Sequence, residues 1–347
     1  MPMPLKNALF EETTVTLLAG LDQRSRDIIV RRHGLESGTI ETLESIGKEY
    51  GVTRERVRQI EAQAKKLLSR RDDILTRVNA ALREIFARYG GVLSEEHLFE
   101  IIKEESDGQL RARLALFYLD ILPRFEHVAR SPVFDLHWSH PELHHQYGEA
   151  AIRAAEAFLK KSRRPQEEAM VIQAVRAALN VSPDDLPNRC IYALLRASKR
   201  LRRTVFAEWG LGSWVETRPR GVGDKAYVVL RRHGKPEHFR TITDMINEAN
   251  FDHKRAHAQT VHNELIKDER FVLVGRGLYG LREWGFIPGT VAEVLETILA
   301  QAARPLTREE LLARVLEQRL VKKTTVLLGL QNSNRIQKVK DGRYTLR

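Results

Sequence analysis

A single cysteine, Cys190, stands in 347 residues. No disulfide can form within the chain and no metal site can lean on paired thiolates, so a reducing compartment fits. Placed between Arg189 and Ile191, Cys190 reads as a small core residue. Aromatic residues are few, at 7%. No apolar run approaches the roughly 20 residues that a membrane helix needs. The N-terminus has one lysine and two glutamates ahead of a short apolar run, which is not the layout of a signal peptide. We therefore expect a cytoplasmic, nucleoid-associated protein with no membrane contact.

Catalytic signatures are missing too. There is no G-x-x-x-x-G-K phosphate loop, and no Ser/His/Asp set has supporting context. Asp184 and Asp185 lack the trailing Glu-x-Lys of a nuclease and suit a helix start. His137, His140, His144 and His145, with Glu142, come nearest to a metal cluster. Pro141 disturbs the helix that would align His140 with His144, and no second cluster supplies partners. The expectation is no enzyme, no cofactor, no metal and no small-molecule substrate. The histidines read better as a polar interdomain surface. His253, His257 and His262 read as DNA-backbone or solvent-facing groups.

What the chain has in excess is positive charge: 57 Lys+Arg against 46 Asp+Glu, a net +11. That favours an anionic polymer as partner and says nothing about fold. The length suggests two or three domains.

A repeat organises the second half. GSW at 212–214, GLY at 277–279 and GRY at 342–344 recur at one constant spacing. Phe206, Phe271 and Ile336 keep the same register, as do Trp209, Val274 and Val339. Each copy reads as a β-hairpin, and each follows three helical runs broken by Arg164-Pro165, Lys235-Pro236 or Arg304-Pro305. Helices then a two-stranded wing is the winged-helix layout. A further copy is expected upstream, with helices over 73–89, 94–104 and 110–119. Its hairpin over 124–138 would turn at Arg130-Ser131-Pro132. The acidic helix 95–105 of that copy suits a protein partner. Units this small bury modest cores, so packing on neighbours is expected.

The stretch GVTRERVRQIE, 51–61, has a different character. Gly51 can take the left-handed turn between two helices, and Thr53 can cap the second. At 100° per residue Val57, Ile60, Ala64 and Leu67 share one face. Arg54, Glu55, Arg58, Gln59, Ala62, Lys65 and Lys66 centre on the other. Upstream, Thr42 can cap a short helix that points Leu43 and Ile46 inward. This is helix-turn-helix geometry with 53–69 as the reading helix. Arginine suits guanine, glutamine adenine and glutamate cytosine, so Arg54, Glu55, Arg58 and Gln59 are the candidate base readers. Thr42, Thr53, Arg56, Lys65 and Lys66 are the candidate phosphate contacts, joined on the wings by Arg276, Lys340 and Arg343.

Residues 21–70 (LDQRSRDIIVRRHGL…TLESIGKEYGVTRERVRQIEAQAKKLLSR) strongly resemble region 4 of the sigma-70 family. The resemblance implies double-stranded DNA as partner, with Arg54, Glu55 and Gln59 reading a promoter −35 element. It implies support from Thr53, Arg56 and Arg58, and docking on the β-flap of RNA polymerase core. Ser45 stands where that family usually has an acidic residue. Region 2, which melts promoters, has no expected counterpart. The segment opens at Leu21, which leaves too little chain upstream, and no aromatic basic helix follows it. Residues 225–286 resemble a HARE-type helix-turn-helix domain, a winged-helix module of the polymerase delta subunit, chromatin proteins and restriction systems. Gly234-Lys235-Pro236, Asp268–Phe271 and Gly275–Tyr279 carry that likeness.

The expected fold is mainly α. An extension over 1–20 precedes a region 4-like domain over 21–71. Winged helices follow over 72–140, 147–217, 222–286 and 288–347. The expected function is a bacterial transcription-associated DNA-binding factor that cannot open promoters alone. The alternatives are a polymerase-docking protein with little DNA role and a chromosome-architecture or DNA-defence component.

Overall fold

A computed structural model of the chain describes residues 9–105, 109–143 and 146–347, and these are mainly helical. They form two compact units: Met1–Arg203 with Glu208–Gly212, and Thr204–Ala207 with Ser213–Arg347.

The first unit opens with α1 (Leu9–Leu18), α2 (Gln23–His33), α3 (Leu43–Glu49) and α4 (Arg54–Leu68). There follow α5 (Asp72–Arg88), β1 (Val92–Leu93), α6 (Glu95–Glu105), α7 (Gln109–Ile121), β2 (Glu126–Val128) and β3 (His137–Ser139). It closes with α8 (Gly148–Ser162), β4 (Gln166–Glu167), α9 (Glu168–Leu179), α10 (Asn188–Ala197), β5 (Leu201–Arg203) and β6 (Glu208–Leu211). The second unit holds α11 (Gly221–His233), β7 (Glu237–His238), α12 (Phe239–Ala249), α13 (Ala258–Lys267), β8 (Phe271–Gly275) and β9 (Leu278–Leu281). Its last part is α14 (Val291–Ala302), α15 (Arg308–Gln318), α16 (Lys323–Asn332), β10 (Ile336–Lys338) and β11 (Tyr344–Leu346).

From α5 onward one order recurs: helix, short strand, helix, helix, antiparallel hairpin. In three blocks the short strand pairs with the second hairpin strand, giving β1-β3-β2, β4-β6-β5 and β7-β9-β8. In the last block a single bridge, Leu306 to Tyr344, takes its place. The residue met by the short strand is aromatic every time: Trp138 by Leu93, Trp209 by Gln166, Tyr279 by Glu237, Tyr344 by Leu306. The step from Tyr279 to Tyr344 equals the spacing of the sequence repeat, while the two earlier steps are longer. The constant register therefore holds between the last two blocks and fails for the second. There Phe206 lies in the turn between β5 and β6 instead of opening a strand, and GSW begins after β6 has ended. Trp209, 1% exposed, is the ring buried in that core, while Trp214 is only half-buried.

The first hairpin also departs from expectation. Its strands lie near the expected ends, but residues 129–136 form a long loop in place of a tight turn. That loop pairs with the end of α10: Phe134 bridges Ser198, and Asp135 N donates to Ala197 O at 2.9 Å. The backbone groups of the loop are satisfied by a neighbouring block.

Nor is the chain ahead of Leu21 a mere extension. Phe10 and Leu17 are 3% and 0% exposed, and the hydroxyls of Thr14 and Tyr118 are 2.8 Å apart. The helix α1 thus belongs to the core that α5, α6 and α7 build with Leu75, Leu82, Phe86, Leu98, Phe117 and Tyr118. The acidic helix α6 does meet a protein partner, and it lies within the same chain. Arg196 of α10 donates to Glu100 at 2.7 Å. Cys190 is buried on the same helix, its Sγ 3.6 Å from Arg88 O.

Replacing Trp209 by alanine should cost about 3–5 kcal/mol, as a large ring removed from a packed core does. A lower urea midpoint at unchanged slope is the expected readout. A loss below about 1 kcal/mol would show that the ring does not hold the block.

Candidate nucleic-acid interface

Two threonine caps and two glycines set the geometry of α3 and α4. Thr42 Oγ1 accepts from Ser45 N at 3.1 Å, and Thr53 Oγ1 accepts from Arg56 N at 3.2 Å. Each hydroxyl keeps its own proton and can still donate to a phosphate. Gly51 has φ +63°, the left-handed conformation expected of the turn. A Cβ on Gly47 would lie 2.7 Å from Val52 O, so α3 and the turn can close this tightly only on glycine. Val57 and Ile60 then pack on Ile28 and Ile46.

Around α2, Arg31 acts as a clamp. Its guanidinium donates bidentately to Glu41 at 2.9 and 2.7 Å, reaches Glu49 of α3, and lies 3.5 Å from Asp27. Tyr50 donates to Asp27 at 2.7 Å. Sequence reasoning passed over Arg31. The one signal for it is the set of acidic residues Asp27, Glu41 and Glu49, which surround it once the helices fold.

The back of α4 differs from the sequence reading in two respects. Leu67, expected inside, is 57% exposed; Leu68 is buried in its place. The apolar stripe runs Val57, Ala64, Leu68 because the helix that covers it, α7, approaches from the side of Glu61. Lys65, expected to meet phosphate, lies 2.8 Å from Glu61 and 2.6 Å from Asp120 of α7. It joins α4 to α7 and is not part of the reading face.

Glu61 is 8% exposed, with His33 Nε2 at 3.4 Å and Arg32 Nε at 3.8 Å. The His33 ring packs against Phe117 at 5.2 Å. Burial opposes ionisation of Glu61, but His33 and Lys65 outweigh it and hold the carboxyl down at about 2. Burial likewise opposes charge on Lys65, and the two carboxylates reverse that and raise its pKa.

The front of α4 brings the remaining candidates together. Arg54, Glu55, Arg56, Arg58, Gln59 and Lys66 are all exposed. Arg58 donates to both oxygens of Glu55 at 2.8 and 2.7 Å, and Arg56 donates to Gln59 at 3.2 Å. The Arg58 guanidinium holds the Glu55 carboxyl below its usual range. Such exposed i,i+3 pairs are worth only about 0.2–0.5 kcal/mol. A base edge or phosphate can take over either partner at little cost. Arg54 has no hydrogen-bond or ion-pair partner among the described residues.

The wing candidates lie in the second unit. Arg276 is exposed at the β8–β9 turn, beside Gly277 at φ +71°. Lys340 and Arg343 are exposed in the β10–β11 hairpin, Arg343 lying 3.6 Å from Asp341.

The histidines do not form the expected polar surface. His140 is fully buried, its ring edge-on to Phe125, and His137 is 5% exposed with Nδ1 2.8 Å from Asp135 O. His144 and His145 lie outside the described residues. His262 is half-buried and stacks on Phe239 at 4.4 Å. Among the described residues no group of three or more His, Cys, Asp or Glu could hold a metal ion. No helix among them is long and apolar enough to cross a membrane.

Comparison with known proteins fits this geometry. Residues 17–69 match the family described as "Sigma-70, region 4". Residues 222–284 match the HARE-HTH family, described as a "restriction endonuclease HTH domain". The chain is 47% identical over 60 residues to "RNA polymerase sigma factor SigA" of a Nostoc strain, covering 17% of this chain and 15% of that protein. It has the same identity over 60 residues to "RNA polymerase sigma factor SigA1" of Synechococcus elongatus, with the same coverage. It is 52% identical over 48 residues to "RNA polymerase principal sigma factor HrdD" of Streptomyces viridifaciens, covering 14% of each chain. The chain thus spans about a seventh of the length of these curated relatives. Both segments are those whose resemblance was legible in the residues. The first match starts at residue 17, inside α1, rather than at Leu21.

The Glu61 cluster generates a pH prediction. A carboxyl held at about 2, below the ordinary 4.5, stabilises the fold fully above pH 4.5 and loses that contribution as pH falls towards 2. Glu61→Gln should flatten this acid limb and lower stability at pH 7, measured by thermal unfolding from neutral pH down to about 2. An acid limb of unchanged steepness would show that the cluster is not linked to folding.

Proposed function

We propose that the chain is a non-catalytic, transcription-associated DNA-binding factor that reads a −35-like promoter element through α4. The observation that carries this reading is the α4 front face in the segment similar to region 4. It is capped, held from behind by α2, α3 and α7, and left exposed at Arg54, Glu55, Arg58 and Gln59. Arg56, Lys66 and the threonine caps supply backbone contacts. The four recurrent blocks are read as tandem winged helices.

RNA polymerase core, through its β-flap, is the proposed second partner, on the strength of the sigma factors named above. Ile29, Leu35, Ala64 and Leu68 of the region 4-like segment lie in one core with Leu114, Phe117 and Tyr118 of α7. Polymerase would therefore meet the exposed polar surface of that segment rather than this apolar one. Burial of α7 also favours an interaction role for its own block over DNA contact.

Arg54→Ala and Gln59→Ala should each remove about 1–3 kcal/mol of discrimination between a −35-like duplex and a scrambled one. Binding titrations of the full chain on both duplexes measure this. Equal weakening on both duplexes would reject base readout.

A further inference from the structure

The four blocks use their third helices and wings differently. In the first, α7 is covered: Ala112, Leu114, Ala115, Phe117, Tyr118 and Leu119 are all at or below 2% exposed. In the second, α10 buries Cys190, Ile191, Ala193, Leu194, Leu195 and Ala197, and Arg189 donates to Arg88 O at 2.7 Å. Neither helix is available to a groove. The third block's helix and wing, 258–281, carry Lys267, Arg270 and Arg276 against Glu264, Asp268 and Glu269, which cancels.

The last block is unlike all three. Residues 322–347 hold Lys322, Lys323, Arg335, Lys338, Lys340, Arg343 and Arg347 against one acidic residue, Asp341. Helix α16 buries Val326 and Leu330 and exposes Thr324, Thr325, Leu328, Gln331 and Asn332. A tight turn, with Gly342 N on Val339 O at 2.9 Å and Gly342 at φ +85°, places Lys340 at the tip of the wing.

Charge alone does not separate this block from the second, which also has a basic run, Arg196 to Arg203. The difference lies in what the cations touch. There Arg196 meets Glu100 at 2.7 Å, Arg200 meets Glu156 at 2.8 Å, Arg202 meets Asp135 at 3.7 Å, and Arg203 meets Glu168 at 3.9 Å. That run is neutralised by carboxylates of its own unit. In the last block Arg335 and Arg343 have carboxylate neighbours, Glu296 and Asp341. Lys322, Lys323, Lys338 and Lys340 stand at the surface and have no ion-pair partner among the described residues.

We propose that α16 and the β10–β11 wing form a second duplex-binding surface, which grips the DNA phosphate backbone without reading sequence. It deepens the proposal that the chain binds DNA, and it adds a site separate from α4. Flexible lysines, rather than bidentate arginines, hold its uncompensated charge. Lysine meets phosphate as a point charge, which gives affinity without base discrimination. The counterions that these lysines displace would anchor the chain near any duplex and leave selection to α4.

The test uses the full chain with Lys322, Lys323, Lys338 and Lys340 changed to Gln. Lys160→Gln with Lys161→Gln is the control on a helix of the first unit. Affinity for a −35-like duplex and a scrambled duplex is measured against salt. The slope of log affinity on log salt should fall by about 3–4 in the quadruple variant, at roughly 0.9 per phosphate contact. The fall should be equal on both duplexes, with the preference between them unchanged, and the control should hold the parental slope. A parental chain with no preference would remove the −35 reading, yet the same fall in slope would still support this surface. An unchanged slope, a fall matched per charge by the control, or binding shifted only to an acidic protein probe would overturn it. Unfolding curves superimposable on the parent's are expected, since none of the four side chains is buried.

Discussion

The carboxylate of Glu61 determines which way α4 faces. A buried carboxylate is tolerated only when cations surround it, and here they come from two directions. His33 and Arg32 approach from α2, while Lys65 approaches along α4 and continues to Asp120 of α7. Rotation of α4 by one residue would carry Glu61 out of this cluster and bring a neighbouring side chain into it. The same rotation would move Arg54 and Gln59 off the front. The ion cluster contributes little net stability, because desolvation cancels much of its Coulomb gain. Its effect is on register, and through register on which side chains a duplex would meet.

A second constraint is size. Each block alone buries too little apolar surface to be secure. In the first unit the remedy is to use third helices as packing elements. Helix α7 closes the core that α1, α2 and α4 leave open, and α10 carries buried apolar residues and closes on β1, α6 and the first hairpin loop. In the second unit, Arg319, only 3% exposed, donates to Leu273 O and Gly289 O, and Leu320 N donates to Val274 O at 2.7 Å. There the join uses backbone groups beside β8, and α16 stays uncovered. Coverage of a third helix is thus decided by where each block finds its missing core.

Local chemistry was legible in the sequence, and non-local chemistry was not. The caps Thr42 and Thr53, the left-handed Gly51 and the exposed row Arg54, Glu55, Arg58, Gln59 follow from residues within a few positions of one another. Leu67 and Lys65 were misplaced because the helix that decides their surroundings, α7, begins far downstream at Gln109. The second hairpin was misplaced for another reason. Trp209 and Trp214 each stand near a glycine, and pattern alone cannot tell which ring is paired with a strand. That decision rests on Gln166, distant in the chain and opposite Trp209. The buried histidines failed in the same way: their polarity suggested a surface, while the aromatic rings and backbone that enclose them come from other elements.

Charge gives the last step, because a count of lysine and arginine does not separate structural cations from available ones. Arg31, Lys65, Arg196 and Arg200 are each as basic as Lys322 or Lys340, yet each sits beside carboxylates of its own unit. A cation held by such a partner must lose it before it can meet a phosphate, so the exchange gains little. A cation facing water gives up only mobile ions, and its whole counterion release appears as affinity. The net +11 of the chain therefore overstates some surfaces and understates others. On α4 the pairs are exposed and weak, so Arg56 and Arg58 remain exchangeable while they hold Glu55 and Gln59 in place. Across 322–347 the exchange is not needed, because the four lysines there have no carboxylate to give up.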